Sequence, residues 1–248
     1  MEYAIILAVT VVAVIALRNP IHKFPMVFYV LAVALDVIFV CHSTGVFALP
    51  RDVWKVMFEL IQSCMLPMAM FMIVMYIGCF KKGGKAYTWL KPIRSELSII
   101  AWILSLGHMA VYLNSYIPRI FAGANINTNI MTAFVLALIL LVLLLVLGVT
   151  SFNFLKKRMS TKTWIKIQKW AYPFWALVYV HLMLMLAPSA MRGGQAAIIS
   201  VAVYTISFGV YAVWRIARAV LDKKASEALD GATEIRADVE EFQTFKAV

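Results

Sequence analysis

The stretch Thr163–Pro188, TWIKIQKWAYPFWALVYVHLMLMLAP, begins as a basic segment with two tryptophans and continues as an apolar helix that contains His181. A histidine inside a membrane helix costs free energy unless its ring nitrogens have partners. A second apolar segment, LSIIAWILSLGHMAVYL at residues 97–113, contains His108. Two histidines on two membrane helices are the arrangement that holds a haem between two axial ligands. The sequence therefore predicts a haem site at this pair.

The composition is that of an integral membrane protein. Of the 248 residues, 63% are hydrophobic and 14% are charged, whereas soluble domains have about 45–50% apolar and about 25% charged residues. The net charge of +11 comes from basic residues in short loops beside apolar segments. This placement sets the orientation of membrane helices, so we expect a lipid bilayer and no nucleic acid as partner.

The apolar segments predict an all-α, polytopic membrane bundle. About seven spans are expected, near residues 3–17, 26–49, 53–80, 97–117, 130–154, 169–187 and 195–221, and Pro118 is expected to close the fourth. The first is short for a bilayer. We expect residues 1–221 to form the transmembrane domain, with a haem-binding core at about 53–221. Residues 222–248 are expected to form a short cytoplasmic tail.

Loop charges predict the orientation of the bundle. The loops after spans one, three and five and the segment after span seven carry most of the lysines and arginines, whereas the opposite side has Arg51, Lys55, Arg119 and Arg192. By the positive-inside rule, the N-terminus lies outside and the C-terminus in the cytoplasm. The predicted location is the inner (cytoplasmic) membrane, which the chain crosses several times.

The depths of the two histidines agree. His108 is twelve residues from Glu96, where span four enters, and His181 is twelve residues from Lys169, where span six enters. At 1.5 Å per residue, both lie about 18 Å into the membrane. Neutral imidazoles are suitable axial ligands for haem iron. The alternative is that each histidine bonds to a neighbouring helix or lines a proton path.

Other polar residues inside the spans are candidates for a quinone or proton site. Asp36 lies near the middle of span two, Glu59 in the outer part of span three and His42 close to the outer end of span two. Intramembrane carboxylates are candidates for function by default, although pairing with a neighbouring helix explains them equally well. His42 is either part of a quinone pocket, a substitute for one haem ligand or an interfacial residue in contact with water. His22, in a basic loop, is predicted to be a surface residue.

Cysteines and methionines have simpler explanations. Cys41, Cys64 and Cys79 form neither C-x-x-C nor C-x-x-C-H motifs, so we expect buried free thiols and no covalently attached haem. Span three has many methionines, which are predicted to pack in the core rather than to bind copper. They are Met65, Met68, Met70, Met72 and Met75.

Two stretches, RSELSIIAWILSLGHMAVYL at residues 94–113 and LGVTSFNFLKKRMSTKTWIKIQKWAYPFWALVYVHLML at residues 147–184, resemble the ferric reductase-like transmembrane domain family. Within that family, they are most similar to the haem-binding membrane subunits of bacterial periplasmic methionine sulfoxide reductase systems. The resemblance covers residues 94–187. It implies a helical bundle that carries electrons across the membrane through b-type haem.

The resemblance also implies two histidines thirteen residues apart in the last haem-binding helix, one for each of two stacked haems. His181 matches the second of these histidines, but Gln168 stands in the position of the first. Glutamine is a poor haem ligand. We therefore expect a single outer haem b, bound by His108 and His181.

The expected function is that of an electron-transfer subunit of an oxidoreductase system rather than a self-contained enzyme. Quinol is the expected donor and an extracytosolic protein carrying flavin or molybdenum the expected acceptor. The basic loop at residues 156–169 is a membrane anchor or a docking site for a cytosolic donor. One alternative is a non-redox transporter or assembly scaffold without haem. Another is a two-haem relay from a cytosolic flavin reductase, with His42 or His22 recruited as a ligand.

Overall fold

Helices make up all the regular structure in the described part of the chain. The computed structural model describes the backbone of residues 2–246 and the side chains of residues 2–228. The α-helices are α1 (Glu2–Ala16), α2 (Arg18–Lys23), α3 (Pro25–Ser43), α4 (Arg51–Met57), α5 (Met65–Ile77), α6 (Lys85–Leu90), α7 (Arg94–Phe121), α8 (Thr128–Val149), α9 (Asn153–Lys156), α10 (Thr161–Gln168), α11 (Ala171–Met191) and α12 (Gln195–Lys246). A π-helical turn, Phe58–Gln62, follows α4, and a 3₁₀ turn, Lys91–Ile93, precedes α7.

Six helical segments are long and apolar enough to cross a membrane. They are Pro25–Ser43, Arg51–Ile77, Lys85–Phe121, Thr128–Val149, Thr161–Met191 and Gln195–Ala228. Helix α1 is apolar but has only 15 residues, which span about 22 Å against a hydrocarbon core of about 30 Å. The prediction of an all-helical, multi-pass membrane protein is confirmed.

Helix α7 lies at the centre of the bundle, packed against α3, α5 and α8. Helix α11 packs between α8 and α12, and α1 packs on α5. The two helices that carry the predicted haem ligands, α7 and α11, therefore meet mainly through α8. Leu140 and Leu144 of α8, Trp102 of α7 and Phe174 of α11 share one apolar cluster there.

Two glycines allow α7 to approach its neighbours closely. A Cβ atom at Gly107 would collide with the Asp36 carboxyl group of α3, and one at Gly148 of α8 would collide with the Trp102 ring of α7. Real Cβ atoms are not found that close to other heavy atoms, so both contacts depend on glycine. These positions fix α3 and α8 against α7.

The third predicted span, residues 53–80, is not one continuous helix. The α-helical ladder changes to a π-helical turn at Phe58 and breaks at Ser63 and Cys64, where Cys64 has a left-handed φ of 56°. The Ser63 and Cys64 amides donate to the Phe58 and Ile61 carbonyls. Pro67 has no amide hydrogen to donate across the break, and α5 begins at Met65. The span is therefore interrupted between Phe58 and Cys64.

Two predicted boundaries differ from those observed. Pro118 was expected to close the fourth span, but α7 continues to Phe121, because a proline in the last turn removes only one backbone hydrogen bond. The chain leaves α7 at Gly123, which has a φ of 68° that favours glycine.

Helix α12 continues past residue 221, where the tail was predicted to start, since no proline or glycine interrupts residues 221–228. Most of that predicted tail, residues 229–248, lies outside the described side chains.

The methionines of α5 pack in the core, as predicted. Met68, Met72 and Met75 are buried in a cluster with Trp175 and Tyr204. Met65 packs on the same cluster, and Met70 packs on a neighbouring cluster around Ile100 and Leu104. Flexible thioether side chains thus fill the contact surfaces between α5 and the helices around it.

Candidate functional site

His108 and His181 are both partly buried in the bundle. His108 lies on α7 and His181 on α11. His108 contacts the π-helical turn before α5, and His181 contacts α8. The structure therefore places both histidines of the predicted pair against neighbouring segments of the bundle.

Both imidazoles form a hydrogen bond through the same ring nitrogen. Nδ1 of His108 lies 2.6 Å from the carbonyl oxygen of Gln62, and Nδ1 of His181 lies 3.2 Å from the carbonyl oxygen of Ala133. A carbonyl can only accept, so Nδ1 carries the proton in each ring. The lone pair of a neutral imidazole is then on Nε2, where it is available to a metal. In metal sites, a carbonyl that accepts from one ring nitrogen orients the other nitrogen of a histidine toward the metal in this way.

The helix break in the third span explains why the Gln62 carbonyl is available to His108. Gln62 is the last residue of the π-helical turn, and the next two amides turn back to the carbonyls of earlier residues. The carbonyl of Ala133, by contrast, lies within α8. A carbonyl oxygen has two lone pairs, so it can accept from His181 in addition to its helical donor. Neither Gln62 nor Ala133 could be identified from the sequence, because backbone acceptors leave no side-chain pattern. Pro67 is the residue near the break that the sequence makes visible.

Aromatic rings extend from His108 toward α8. The ring of Tyr112 lies 4.8 Å from that of His108, and Tyr116 lies 6.2 Å from Tyr112. Phe134, the neighbour of Ala133, lies 5.6 Å from Tyr116. The rings connect the surroundings of the two histidines through apolar and polarisable side chains.

Asp36 lies beside the helix that carries His108. Its Oδ2 atom accepts a hydrogen bond from the Gly107 amide at 3.1 Å, and the residue is 8% exposed. Its Oδ1 atom is buried and has no hydrogen-bond partner among the described residues. An unpaired carboxylate oxygen is costly in an apolar interior. The carboxyl is therefore placed to hold a proton next to the backbone of α7.

Glu59 lies in the π-helical turn and His42 near the end of α3. Glu59 is partly buried in the π-helical turn, three residues before Gln62. The Leu49 amide donates to Nδ1 of His42 at 3.0 Å, and the His42 ring lies 4.2 Å from the Trp54 ring. The same Nδ1 atom lies 3.2 Å from the carbonyl oxygen of Phe47. In either tautomer, His42 therefore holds the loop after α3.

The side chains of Gln168 and His22 both contact polar groups at the ends of helices. Nε2 of Gln168 donates to Oγ1 of Thr150 at 3.1 Å, and Trp164 donates from Nε1 to the Thr150 carbonyl at 3.1 Å. These bonds hold α10 against the end of α8. His22 is exposed, as predicted, and its Nδ1 lies 3.9 Å from Oε1 of Glu96.

The basic loop at residues 156–169 presents its cations to solvent. All six lysine and arginine side chains of this loop are exposed; they are Lys156, Lys157, Arg158, Lys162, Lys166 and Lys169. Nζ of Lys156 lies 4.5 Å from the centre of the Trp164 ring. The loop therefore forms a positively charged surface held to the bundle by Trp164.

The described side chains do not form a cluster that would bind a bare metal ion. Among residues 2–228, no three side chains of histidine, cysteine, aspartate and glutamate come together as an ion site would require. A haem needs only two axial ligands from the protein, because the macrocycle supplies the other four nitrogens. His108 and His181 are the residues that would supply these two ligands.

Comparisons with known proteins find one similar sequence without a described activity. A protein of Treponema pallidum (strain Nichols), described as an uncharacterized protein, is 32% identical over an alignment of 224 residues that covers 88% of this chain. The chain spans 61% of the length of that relative. No protein-family profile and no solved structure match the chain.

Proposed function

We propose that this protein is the membrane electron-transfer subunit of an oxidoreductase system and that it binds one b-type haem through His108 and His181. The observation that carries the proposal is the shared hydrogen-bonding pattern of the two rings, each with Nδ1 on a backbone carbonyl. The resemblance of residues 94–187 to the ferric reductase-like transmembrane domain family points to the same pair. The bound haem supplies a one-electron iron couple.

The chain's own contribution is to orient the two imidazoles and to keep water from them. The Gln62 and Ala133 carbonyls fix the direction of each ring, and partial charge on these carbonyls makes each Nε2 a better donor to a metal. Burial among apolar helices lowers the local dielectric. Burial and axial ligands are the means by which a protein sets the reduction potential of a haem.

One haem per chain agrees with the position of Gln168. This side chain holds α10 against Thr150, and glutamine is a poor ligand for haem iron. With a single haem in the outer half of the membrane, quinol is the donor that can reach it from within the bilayer. The acceptor is an extracytosolic redox protein that carries flavin or molybdenum.

Oxidation of a quinol releases protons, and the buried carboxyls provide places for them. Asp36 has one oxygen on the Gly107 amide and one without a partner among the described residues. Glu59 lies on the kinked span that also carries Gln62. We assign Asp36 and Glu59 to proton handling, and His42 to the outer wall of the same quinone or proton site.

The positive-inside rule supports the proposed orientation in the inner (cytoplasmic) membrane. With α1 counted as a short seventh span, the N-terminus lies outside and the C-terminus in the cytoplasm. The exposed cations of residues 156–169 then face the cytoplasm, where they bind anionic lipid or a cytosolic donor protein. Anionic lipid and a donor protein would therefore bind to the same surface.

The test is the amount of haem bound per chain, measured as the pyridine haemochrome of protein purified from haem-replete cells. We expect one haem per chain in the wild type and in His22→Ala and His42→Ala, and less than a tenth of that in His108→Ala and His181→Ala. Two haems per chain, or loss of haem in His42→Ala, would indicate a two-haem relay. A wild type without haem would indicate a transporter or assembly scaffold.

A further inference from the structure

An apolar groove runs along α1, with Phe28 of α3 at one side. It has a volume of about 310 Å³, and α5 and α7 form its floor through Leu66, Met70 and Ile100. Helices α1 and α3 are joined by α2 and both contact it. They are thus held together at one end and separated along the rest of their length.

The groove lacks polar partners for a ligand. Its lining is aliphatic and aromatic except for Thr10, and Oγ1 of Thr10 donates to the Ile6 carbonyl of its own helix at 2.6 Å. A quinone ring needs hydrogen-bond donors for its carbonyl oxygens, and an unpaired carbonyl in such a place is costly. A hydrocarbon chain needs none. The chemistry of the lining therefore favours a lipid tail.

The groove has the length of one lipid leaflet. Its lining on α1 extends from Ile5 to Leu17, which is about 18 Å along the helix axis. Half of a hydrocarbon core of about 30 Å is about 15 Å. A single acyl chain that enters at the end near Leu17 therefore fits lengthwise.

A fixed cation lies at that end of the groove. Arg18 follows Leu17 directly; its Nε donates to the Trp89 carbonyl at 2.7 Å and its Nη1 to Oδ1 of Asn19 at 2.7 Å. The guanidinium also stacks 5.0 Å from the centre of the Trp89 ring. Among the described residues, Nη2 of Arg18 has no acceptor, and Lys23 adds a second exposed cation on α2. Glu96 lies on the same side, but it faces His22.

We propose that the groove is a binding site for one anionic phospholipid, with an acyl chain along α1 and the phosphate at Arg18. Guanidinium groups bind phosphate oxygens through charge-assisted hydrogen bonds. Arg18 is already ordered by Trp89 and Asn19, so little side-chain freedom is lost when the lipid binds. The site is separate from His108 and His181 and does not depend on the proposed haem.

Native mass spectrometry of the purified full chain tests the site, with phosphatidylglycerol and phosphatidylcholine as probes. After delipidation, we expect one tightly retained phosphatidylglycerol per chain and about tenfold weaker retention of phosphatidylcholine. Ala13→Trp fills the groove and should abolish retention. Ala8→Trp, at an exposed position of α1 outside the groove, is the matched control and should behave as the wild type.

Arg18→Gln tests recognition of the headgroup separately from binding of the acyl chain, because it removes the cation and leaves the groove unfilled. We expect this variant to lose the preference for phosphatidylglycerol while it still binds both lipids weakly. Equal retention of the two lipids by the wild type overturns the proposal, as does undiminished phosphatidylglycerol binding in a folded Ala13→Trp. Co-purification of an isoprenoid quinone that Ala13→Trp displaces, or a dimer that Ala13→Trp disrupts, would also overturn it. Haem content is unchanged in all three variants, so failure here leaves the proposed function untouched.

Discussion

At the scale of single residues, the acceptors of the two histidines are as informative as the histidines themselves. The sequence identifies His108 and His181 because histidines are rare in apolar helices. It does not identify the carbonyls of Gln62 and Ala133, because every residue has a carbonyl. Whether a carbonyl can accept a hydrogen bond from one of these histidines depends on a helix break and on the contact between α8 and α11. Neither feature can be identified before the chain has folded.

The close contact between Trp102 and Gly148 predicts that a larger residue at position 148 destabilises the bundle. Gly148→Ala adds a Cβ atom where the indole ring now lies, and a rigid ring in a packed interior cannot move aside freely. We expect a loss of about 1–3 kcal/mol of stability, measured as a lower thermal midpoint in detergent.

Gly209→Ala is the control for this substitution. A Cβ atom at Gly209 meets no other atom within 4 Å, and alanine favours a helix over glycine by about 1 kcal/mol. We expect an equal or higher midpoint for this variant. If Gly148→Ala were as stable as Gly209→Ala, the close packing of α7 on α8 would be wrong.

At the scale of helices, composition predicted the spans better than their interruptions. Hydropathy located six long apolar helices because each needs about twenty apolar residues. The break at Ser63 and Cys64 was missed, since a π-helical turn and a left-handed cysteine have no strong compositional signal. The prediction that Pro118 ends the fourth span was wrong, because a proline in the last turn leaves most of the helix intact.

The contact between α10 and α8 yields a second prediction. Gln168→Ala removes the hydrogen bond to Thr150, which should cost about 1 kcal/mol of stability and lower the thermal midpoint slightly. Because we propose that Gln168 connects helices and does not bind haem, the amount of haem per chain should equal that of the wild type. Lys169→Ala, at the exposed neighbouring residue, should change neither quantity. A loss of haem in Gln168→Ala would place a second haem site at the end of α10.

At the scale of the whole molecule, the arrangement of the helices could not be read from hydropathy. Apolar helices in lipid have no hydrophobic force to choose partners, and small residues and polar contacts decide which surfaces meet. Here the Asp36 contact with Gly107 places α3 on α7, and Gly148 places α8 on α7. Helices α7 and α11, which carry His108 and His181, are connected through α8 because both pack on it. The sequence predicted equal depth for the two histidines but not this shared helix.

The central claim is that the iron of one haem is bound between His108 and His181. The most direct measurement is the dithionite-reduced minus oxidised absorption spectrum of His108→Gly and His181→Gly beside the wild type, with and without added imidazole. We expect a low-spin haem b spectrum in the wild type, its loss in both variants and its return when imidazole replaces the missing ligand. A low-spin spectrum that persists in either variant without imidazole, or a wild type with no difference spectrum, would contradict the claim.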